Sequence, residues 1–186
     1  MITGIILASG FSRRMKKDKL LLEVGGMPLV ERVIKACWES NLDEIILVYR
    51  REEVANIGKK YNVKTIYNAN AHLGQSEGLK LGVKEAKNPS AYMFFVGDQP
   101  FITSNLINKL IDEYKKSKSE ILVPFYKGNK GMPTIISSIY KYELLKIAGD
   151  KGARDLVNKY VSKVNKIFIE DERLGIDIDT PEDMLL

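Results

Sequence analysis

Strand-like and helix-like segments alternate from one end of this chain to the other, and that alternation restricts the fold more than any other feature. Ile2 to Ala8 is a short apolar run that stops at Ser9-Gly10. Pro28 to Ser40 follows, with Val30, Val33, Ile34, Cys37 and Trp38 spaced as one helix face, which predicts a core stripe containing all five. Glu44 to Tyr49, Val63 to Tyr67, Tyr92 to Val96, Ile121 to Phe125, Thr134 to Ile136 and Val164 to Ile169 read as strands. Between them, Glu52 to Lys60, Ser76 to Ala86, Ser104 to Lys116 and Ala153 to Tyr160 read as helices. Thr103 is the expected N-cap of the third of these, and Thr180-Pro181-Glu182-Asp183 predicts a last helical turn. Such an order is that of a layered α/β structure with a largely parallel sheet.

Length and composition narrow the reading further. At 186 residues, without repeat, low-complexity tract or linker, the chain is expected to form a single domain, residues 1–186. One cysteine excludes an intrachain disulfide, and one cysteine with one histidine cannot assemble a zinc site of the usual ligand count. The net charge of +5 comes from 29 basic residues scattered through helices and offset by 24 acids. With no polybasic block or interleaved aromatics, the charge predicts a solvated surface and neither a nucleic-acid nor a membrane partner. No basic stretch precedes the first apolar run, and no run approaches the ~18 residues of a membrane span, so the expected location is cytoplasmic.

In open α/β sheets ligands bind beyond the carboxyl ends of the strands. The first such place is Leu7-Ala8-Ser9-Gly10-Phe11-Ser12-Arg13-Arg14-Met15-Lys16-Lys17-Asp18-Lys19, where small residues are followed by five cations within seven positions. Backbone N–H groups and positive charge suit a triphosphate there, although neither a Walker loop nor a dinucleotide fingerprint is present. The second is Gly97-Asp98-Gln99-Pro100, with Asp98 at a strand end as a candidate Mg²⁺ ligand or a turn residue. Asp177 and Asp179, two apart, face one side if extended, so either can partner it; Asp179 can alternatively cap the last helix. The third, Gly74-Gln75-Ser76-Glu77-Gly78, matches the hydrolase nucleophile elbow in form. That chemistry needs a histidine downstream, and His72 lies upstream, so Gln75 and Ser76 read instead as hydrogen-bonding groups for a base or ribose.

Leu-Ala-x-Gly-x-Ser-x-Arg-Met, then Lys19 and three leucines, resembles the signature of the MobA-like nucleotidyltransferases, most of all the molybdenum-cofactor cytidylyltransferases. Gly25-Gly26-Met27-Pro28-Leu29, Gly74-Gln75-Ser76, Gly97-Asp98-Gln99-Pro100, Gly149-Asp150-Lys151-Gly152-Ala153-Arg154 and Asp177-Ile178-Asp179-Thr180-Pro181 continue the pattern in the family's order. The resemblance implies a three-layer Rossmann-like nucleotidyltransferase fold with a mostly parallel, mixed sheet. It implies Mg²⁺ on Asp98 and Asp179 (or Asp177 in its place), with Arg14 and Lys19 as catalytic cations beside Asp98. Leu7, Ala8, Ser9, Gly10, Ser12, Arg14, Lys19, Gly74, Gln75, Ser76 and Asp98 are the implied nucleotide-binding set.

Ser9 stands where related guanylyltransferases carry glycine, and its Cβ and hydroxyl would narrow a base pocket that it faces. CTP is therefore the expected nucleotide and the molybdopterin form of the molybdenum cofactor the expected acceptor. The product, its cytosine dinucleotide, implies transient contact with a molybdoenzyme or its chaperone. A GTP-dependent guanylyltransferase, a sugar-1-phosphate nucleotidyltransferase and a nucleotide-binding regulator without activity remain the alternatives. Three departures bear on them: Lys16 replaces a glycine after Arg-Met, Gly78 replaces a serine, and Met132 replaces a histidine in Gly131-Met132-Pro133.

Overall fold

In the computed structural model of the chain, residues 1–11, 18–179 and 183 are described. Its strands are β1 (Ile2–Ala8), β2 (Glu23–Val24), β3 (Met27–Pro28), β4 (Glu44–Tyr49), β5 (Lys64–Tyr67), β6 (Ala91–Val96), β7 (Ile121–Tyr126), β8 (Asn129–Lys130), β9 (Thr134–Ser137) and β10 (Val164–Ile169). Its helices are α1 (Leu29–Trp38), α2 (Glu52–Lys60), α3 (Gln75–Glu85), α4 (Ser104–Ser117), α5 (Lys141–Lys146) and α6 (Ala153–Lys159). The main sheet runs in the order β10-β7-β9-β6-β1-β4-β5, with β8 paired to β7; β2 and β3 form a separate hairpin. β1 pairs in parallel with both β4 and β6, and β4 with β5. β9 runs against β6 and β7 and makes the sheet mixed, while β10 is parallel to β7.

Helices cover both faces, so the central strands are apolar on both sides. Along β6, Met93 and Phe95 join one core with Val30, Val33 and Ile34 of α1 and Leu106, Ile107 and Leu110 of α4. Tyr92 and Phe94 join the other with Leu79 and Val83 of α3, Leu144 of α5 and Leu156 of α6. This two-sided burial is why β1 and β6 read as continuous apolar runs instead of alternating ones. The three-layer, mostly parallel α/β architecture expected from the sequence is the one observed.

Three local expectations change. Trp38 is 58% exposed, set edge-on to Tyr61 at 6.0 Å, while Val30, Val33, Ile34 and Cys37 are fully buried. At about 100° per residue, Trp38 lies some 80° round from Val30, on the rim of the stripe and outside the arc that meets the sheet. The connection after β7 contains β8, a two-residue strand folded back on β7. Helix α5 has Leu144 alone fully buried, too little periodicity to announce itself. Thr103 does cap α4, its side chain accepting from Leu106 N–H, as expected. The helical turn expected from Pro181 lies outside the described residues apart from Asp183.

Candidate active site

The carboxyl ends of β1, β5 and β6 open into a cavity of about 330 Å³ lined by Leu7, Ser9, Gly10, Phe11, Lys19 and Leu20 on one side. Ala71, Gly74, Gln75, Val96, Gly97, Asp98 and Asp150 complete it. A larger space of about 870 Å³ shares Lys19, Gln75, Asp98 and Asp150 with it and extends past Gln99, Met132, Arg154, Asp177 and Asp179. The two compartments meet over Lys19 and Asp98.

Lys19 opens a short 3-10 turn (Lys19–Leu21) whose N-cap is Asp18, accepting from Leu20 N–H. The Asp18 carboxylate also meets Arg50 at 3.5 Å and Arg51 at 3.3 Å, which fastens the end of the basic segment to the β4–α2 junction. From that base the Lys19 ammonium reaches Asp98 at 2.6 Å and Asp179 at 2.8 Å. Burial alone would lower the affinity of this amine for its proton. The charges of Asp98 and Asp179 and their hydrogen bonds outweigh that, and the amine is held above its ordinary range as a firm cation.

Asp98 and Asp179 are far apart in sequence, and one apolar residue explains how they meet. Ile178 is fully buried, and its N–H donates to the Asp98 carbonyl at 3.0 Å. With Ile178 turned inward, Asp177 and Asp179 both border the larger compartment. The Asp177 carboxyl, desolvated by its surroundings and then repelled by Asp98, is pushed up to about 6. The Asp179 backbone N–H is held by Asp183 at 3.0 Å, while its carboxylate faces Lys19.

These acids bear on whether a divalent cation fits. Asp98 Oδ1 is buried and has no hydrogen-bond partner among the described residues, an arrangement that costs free energy unless something positive occupies its lone pairs. Two carboxylates already converge on one cationic nitrogen. Among the described residues no group of three or more His, Cys, Asp or Glu side chains is arranged to hold a metal. Magnesium needs only one or two carboxylates when phosphate oxygens and water supply the remainder, so the donor set suits it in the presence of a nucleotide.

The other expected residues fall out as follows. Leu7, Ser9, Gly10, Gly74 and Gln75 line the smaller cavity, whereas Ala8 and Ser76 are buried beside it. The Ser9 hydroxyl is not loose in the cavity, because it accepts from Asn68 Nδ2 at 2.9 Å. Gly74 has φ +116°, and a Cβ there would come within 2.4 Å of the Gly149 backbone. Ser76 N–H in turn donates to the Gly149 carbonyl at 3.1 Å, so the start of α3 and the Gly149–Arg154 segment form one wall. Ser12 and Arg14 lie outside the described residues. Met132, where the resemblance led to a histidine, borders the larger compartment and its sulfur accepts from Thr134 Oγ1 at 3.5 Å. Cys37 is buried in the α1 core, where burial pushes its thiol well up, which keeps it out of the chemistry. Asn68 and the Asp18–Arg50–Arg51 brace were not foreseen; no motif marks them, since their roles arise only from contacts across the sheet ends.

No helix among the described residues is long and apolar enough to cross a membrane. The profile of the MobA-like NTP transferase domain matches residues 4–164. A probable molybdenum cofactor guanylyltransferase of Natranaerobius thermophilus is 33% identical over 130 residues, 69% of this chain and 62% of its own. A 3-deoxy-manno-octulosonate cytidylyltransferase of Rickettsia canadensis is 33% identical over 131 residues, 68% of this chain and 53% of its own. The match thus spans between half and two thirds of the length of these curated relatives. Among solved structures, Rv0371C of Mycobacterium tuberculosis in complex with manganese superposes with a TM-score of 0.79 at 22% identity, covering 98% of this chain and 95% of its own. With the sheet order, the position of the cavity and the profile match in agreement, the chain belongs to the MobA-like NTP transferase family.

Proposed function

We propose that this chain is a CTP:molybdopterin cytidylyltransferase acting as one nucleotidyltransferase domain, with CTP in the smaller cavity and the phosphorylated acceptor in the larger. The observation that carries the reading is the single ammonium of Lys19 gripped by Asp98 and Asp179 where the two compartments join. Chemistry between two phosphates has to happen at such a junction, because donor and acceptor must approach in line.

The acceptor phosphate is already a charged nucleophile at neutral pH, so no enzyme-bound covalent intermediate is required. Its oxygen attacks the α-phosphorus, the bond to the bridging oxygen breaks, and pyrophosphate departs with that electron pair. What the protein supplies is placement and opposing charge. Lys19 offsets negative charge on the phosphates, and Arg14 is assigned the same task from the basic segment. Leu7 and Gly10 offer backbone to the base, and Gln75 offers an amide at the first turn of α3. Asp98 and Asp179, with Asp177 as the substitute, would hold Mg²⁺, which when bound supplies Lewis-acid stabilisation of the phosphate oxygens. The manganese complex of the Mycobacterium tuberculosis protein supports a divalent ion in a chain of this fold.

CTP is favoured because Ser9 borders the smaller cavity, where its Cβ takes room that glycine would leave for a purine. A second reading, GTP as donor, draws on the guanylyltransferase relative. Pyrophosphate release from CTP, GTP, ATP and UTP, each with and without molybdopterin, decides between them. The proposal expects release with CTP and molybdopterin together. Equal release with GTP removes the cytidine assignment; release only with a sugar 1-phosphate moves the acceptor; nucleotide binding without release under any pairing leaves a regulator.

A further inference from the structure

Ser9, where related guanylyltransferases carry glycine, and Gly78, where the family carries serine, are neighbours. Ser9 follows β1 and Gly78 lies within α3, yet a Cβ built on Gly78 would stand 2.9 Å from Ser9 Oγ. It would also stand 3.5 Å from Asn68 Nδ2 and 3.6 Å from Val48 Cγ1, both ordinary contacts. The gap left by Gly78 is therefore filled by one atom, the Ser9 hydroxyl oxygen. Asn68 Nδ2 donates to that oxygen at 2.9 Å.

Asn68 is itself fixed. It is 1% exposed, its N–H donates to the Tyr49 carbonyl at 2.7 Å, and its own side-chain oxygen accepts from Asn70 N–H at 3.1 Å. A serine has three staggered positions for its oxygen. The one adopted here points at Asn68 and the gap at Gly78. Because Ser9 borders the nucleotide cavity, rotation out of this position alters the wall of that cavity and strips the buried Asn68 amide of its acceptor.

We propose that Asn68 and Gly78 are positioning residues for base selection: together they park the Ser9 hydroxyl against α3 and so set the width of the cavity that a nucleobase must enter. The proposal rests on reading that cavity as the nucleotide site. Neither residue borders the cavity, so each acts through Ser9. Filling the gap at residue 78 drives the hydroxyl towards the base, where a change of this size is worth about tenfold in binding.

The test is a substitution cycle in the full chain, with CTP and GTP as the probes, affinities read by calorimetry and Tm recorded for every variant. Gly78→Ala is expected to weaken CTP binding about tenfold and GTP binding more, since the purine needs more room. In the Ser9→Ala background the same change should have less than about a twofold effect. Alanine is the better helix former, so Gly78→Ala should raise Tm once Ser9 is alanine and fail to do so while the hydroxyl is present. Asn68→Ala should alter the CTP:GTP preference when residue 9 is serine and leave it unchanged when residue 9 is alanine. Equal effects of Gly78→Ala in both backgrounds, or a CTP:GTP preference untouched by either substitution, overturn the proposal. An unaltered chain that binds neither nucleotide overturns this inference and the nucleotide site together, whereas normal binding with purely additive variants overturns this inference alone.

Discussion

Replacing Asp98 with asparagine keeps the shape of the side chain while removing its charge, which isolates the electrostatic part of its role. In the folded chain Asp98 Oδ2 lies 2.6 Å from the Lys19 ammonium, and both side chains keep less than a fifth of their surface in solvent. Breaking a fully buried pair of this kind costs about 3–5 kcal/mol. Four features reduce that figure here. Lys19 retains Asp179 at 2.8 Å, the amide oxygen of asparagine can still accept from the ammonium, and the repulsion that Asp98 exerts on Asp177 disappears. The buried Oδ1, without a partner among the described residues, also ceases to carry charge. The expected stability loss is then about 1–2 kcal/mol, a fall in Tm of roughly 2–8 °C for a chain of this size.

Turnover should respond on another scale. Removing one preorganised charge at a phosphate-transfer centre costs about 10²–10³ in rate, roughly 3–4 kcal/mol of transition-state stabilisation. Pyrophosphate release under saturating nucleotide and acceptor, with a thermal melt of the same sample, separates the two quantities. A Mg²⁺ or Mn²⁺ titration with nucleotide present should show weaker metal binding in the variant. Turnover within about threefold of the unaltered enzyme, in a variant with a normal melt, would refute the placement of Asp98 at the centre of the chemistry. A loss of turnover matched by wholesale unfolding would refute the stability argument instead.

Cys37 is sealed in the α1 core, so thiol reagents should leave the native chain unmodified and label it stoichiometrically only in denaturant; prompt native labelling would contradict the core packing. Glu120 is held below its ordinary value near 4.5 by hydrogen bonds from Lys163 and Tyr140. A lowered carboxyl stabilises the fold above its unfolded value and loses that contribution as pH falls through its folded value, so Glu120→Gln should lower Tm near pH 7 and the difference should shrink as the pH is taken below the ordinary carboxylate range. Gly74→Ala forces a side chain onto a backbone with φ +116° and within 2.4 Å of Gly149, and should cost more than about 2 kcal/mol, read as a Tm fall of about 4 °C or more. Ile178→Ala empties a fully buried site at a cost of about 2–4 kcal/mol, and because Ile178 anchors Asp177 and Asp179, metal affinity should fall even though no acid has been changed.

Most of the fold was legible because the central parallel strands β1, β4 and β6 are buried on both sides and announce themselves as apolar runs, with amphipathic helices between them. What escaped notice were elements with little periodicity to read. α5 buries Leu144 alone, the β2–β3 hairpin has two residues per strand, and β8 exists only by pairing with β7. Trp38 shows the converse limit: correct spacing fixes a face within about one residue's rotation, and the residue at its rim lies in solvent.

The candidate site residues were legible as types, Asp98 from its place just after β6, and Lys19 and the Asp177–Asp179 pair from their motifs. Their company was not. Asn68 carries no motif and becomes meaningful only because β5, one strand removed from β1 across β4, ends at the same edge of the sheet, bringing its amide to Ser9. Gly78 reads in the sequence as a lost hydroxyl, whereas the space it leaves is occupied by the hydroxyl of Ser9, so the departure at residue 78 is bound up with the residue that borders the cavity. The meeting of Asp98 with Asp179 has the same character. The acids themselves repel, and nothing in their charges brings them together; the pairing is set by Ile178, whose burial and one backbone hydrogen bond fix the register of the segment. Lys19 then supplies the opposing charge that lets the acids stay close. The apolar residue sets the geometry and the cation makes it tolerable, which is why the acidic motif could be read from the sequence while its partnership could not.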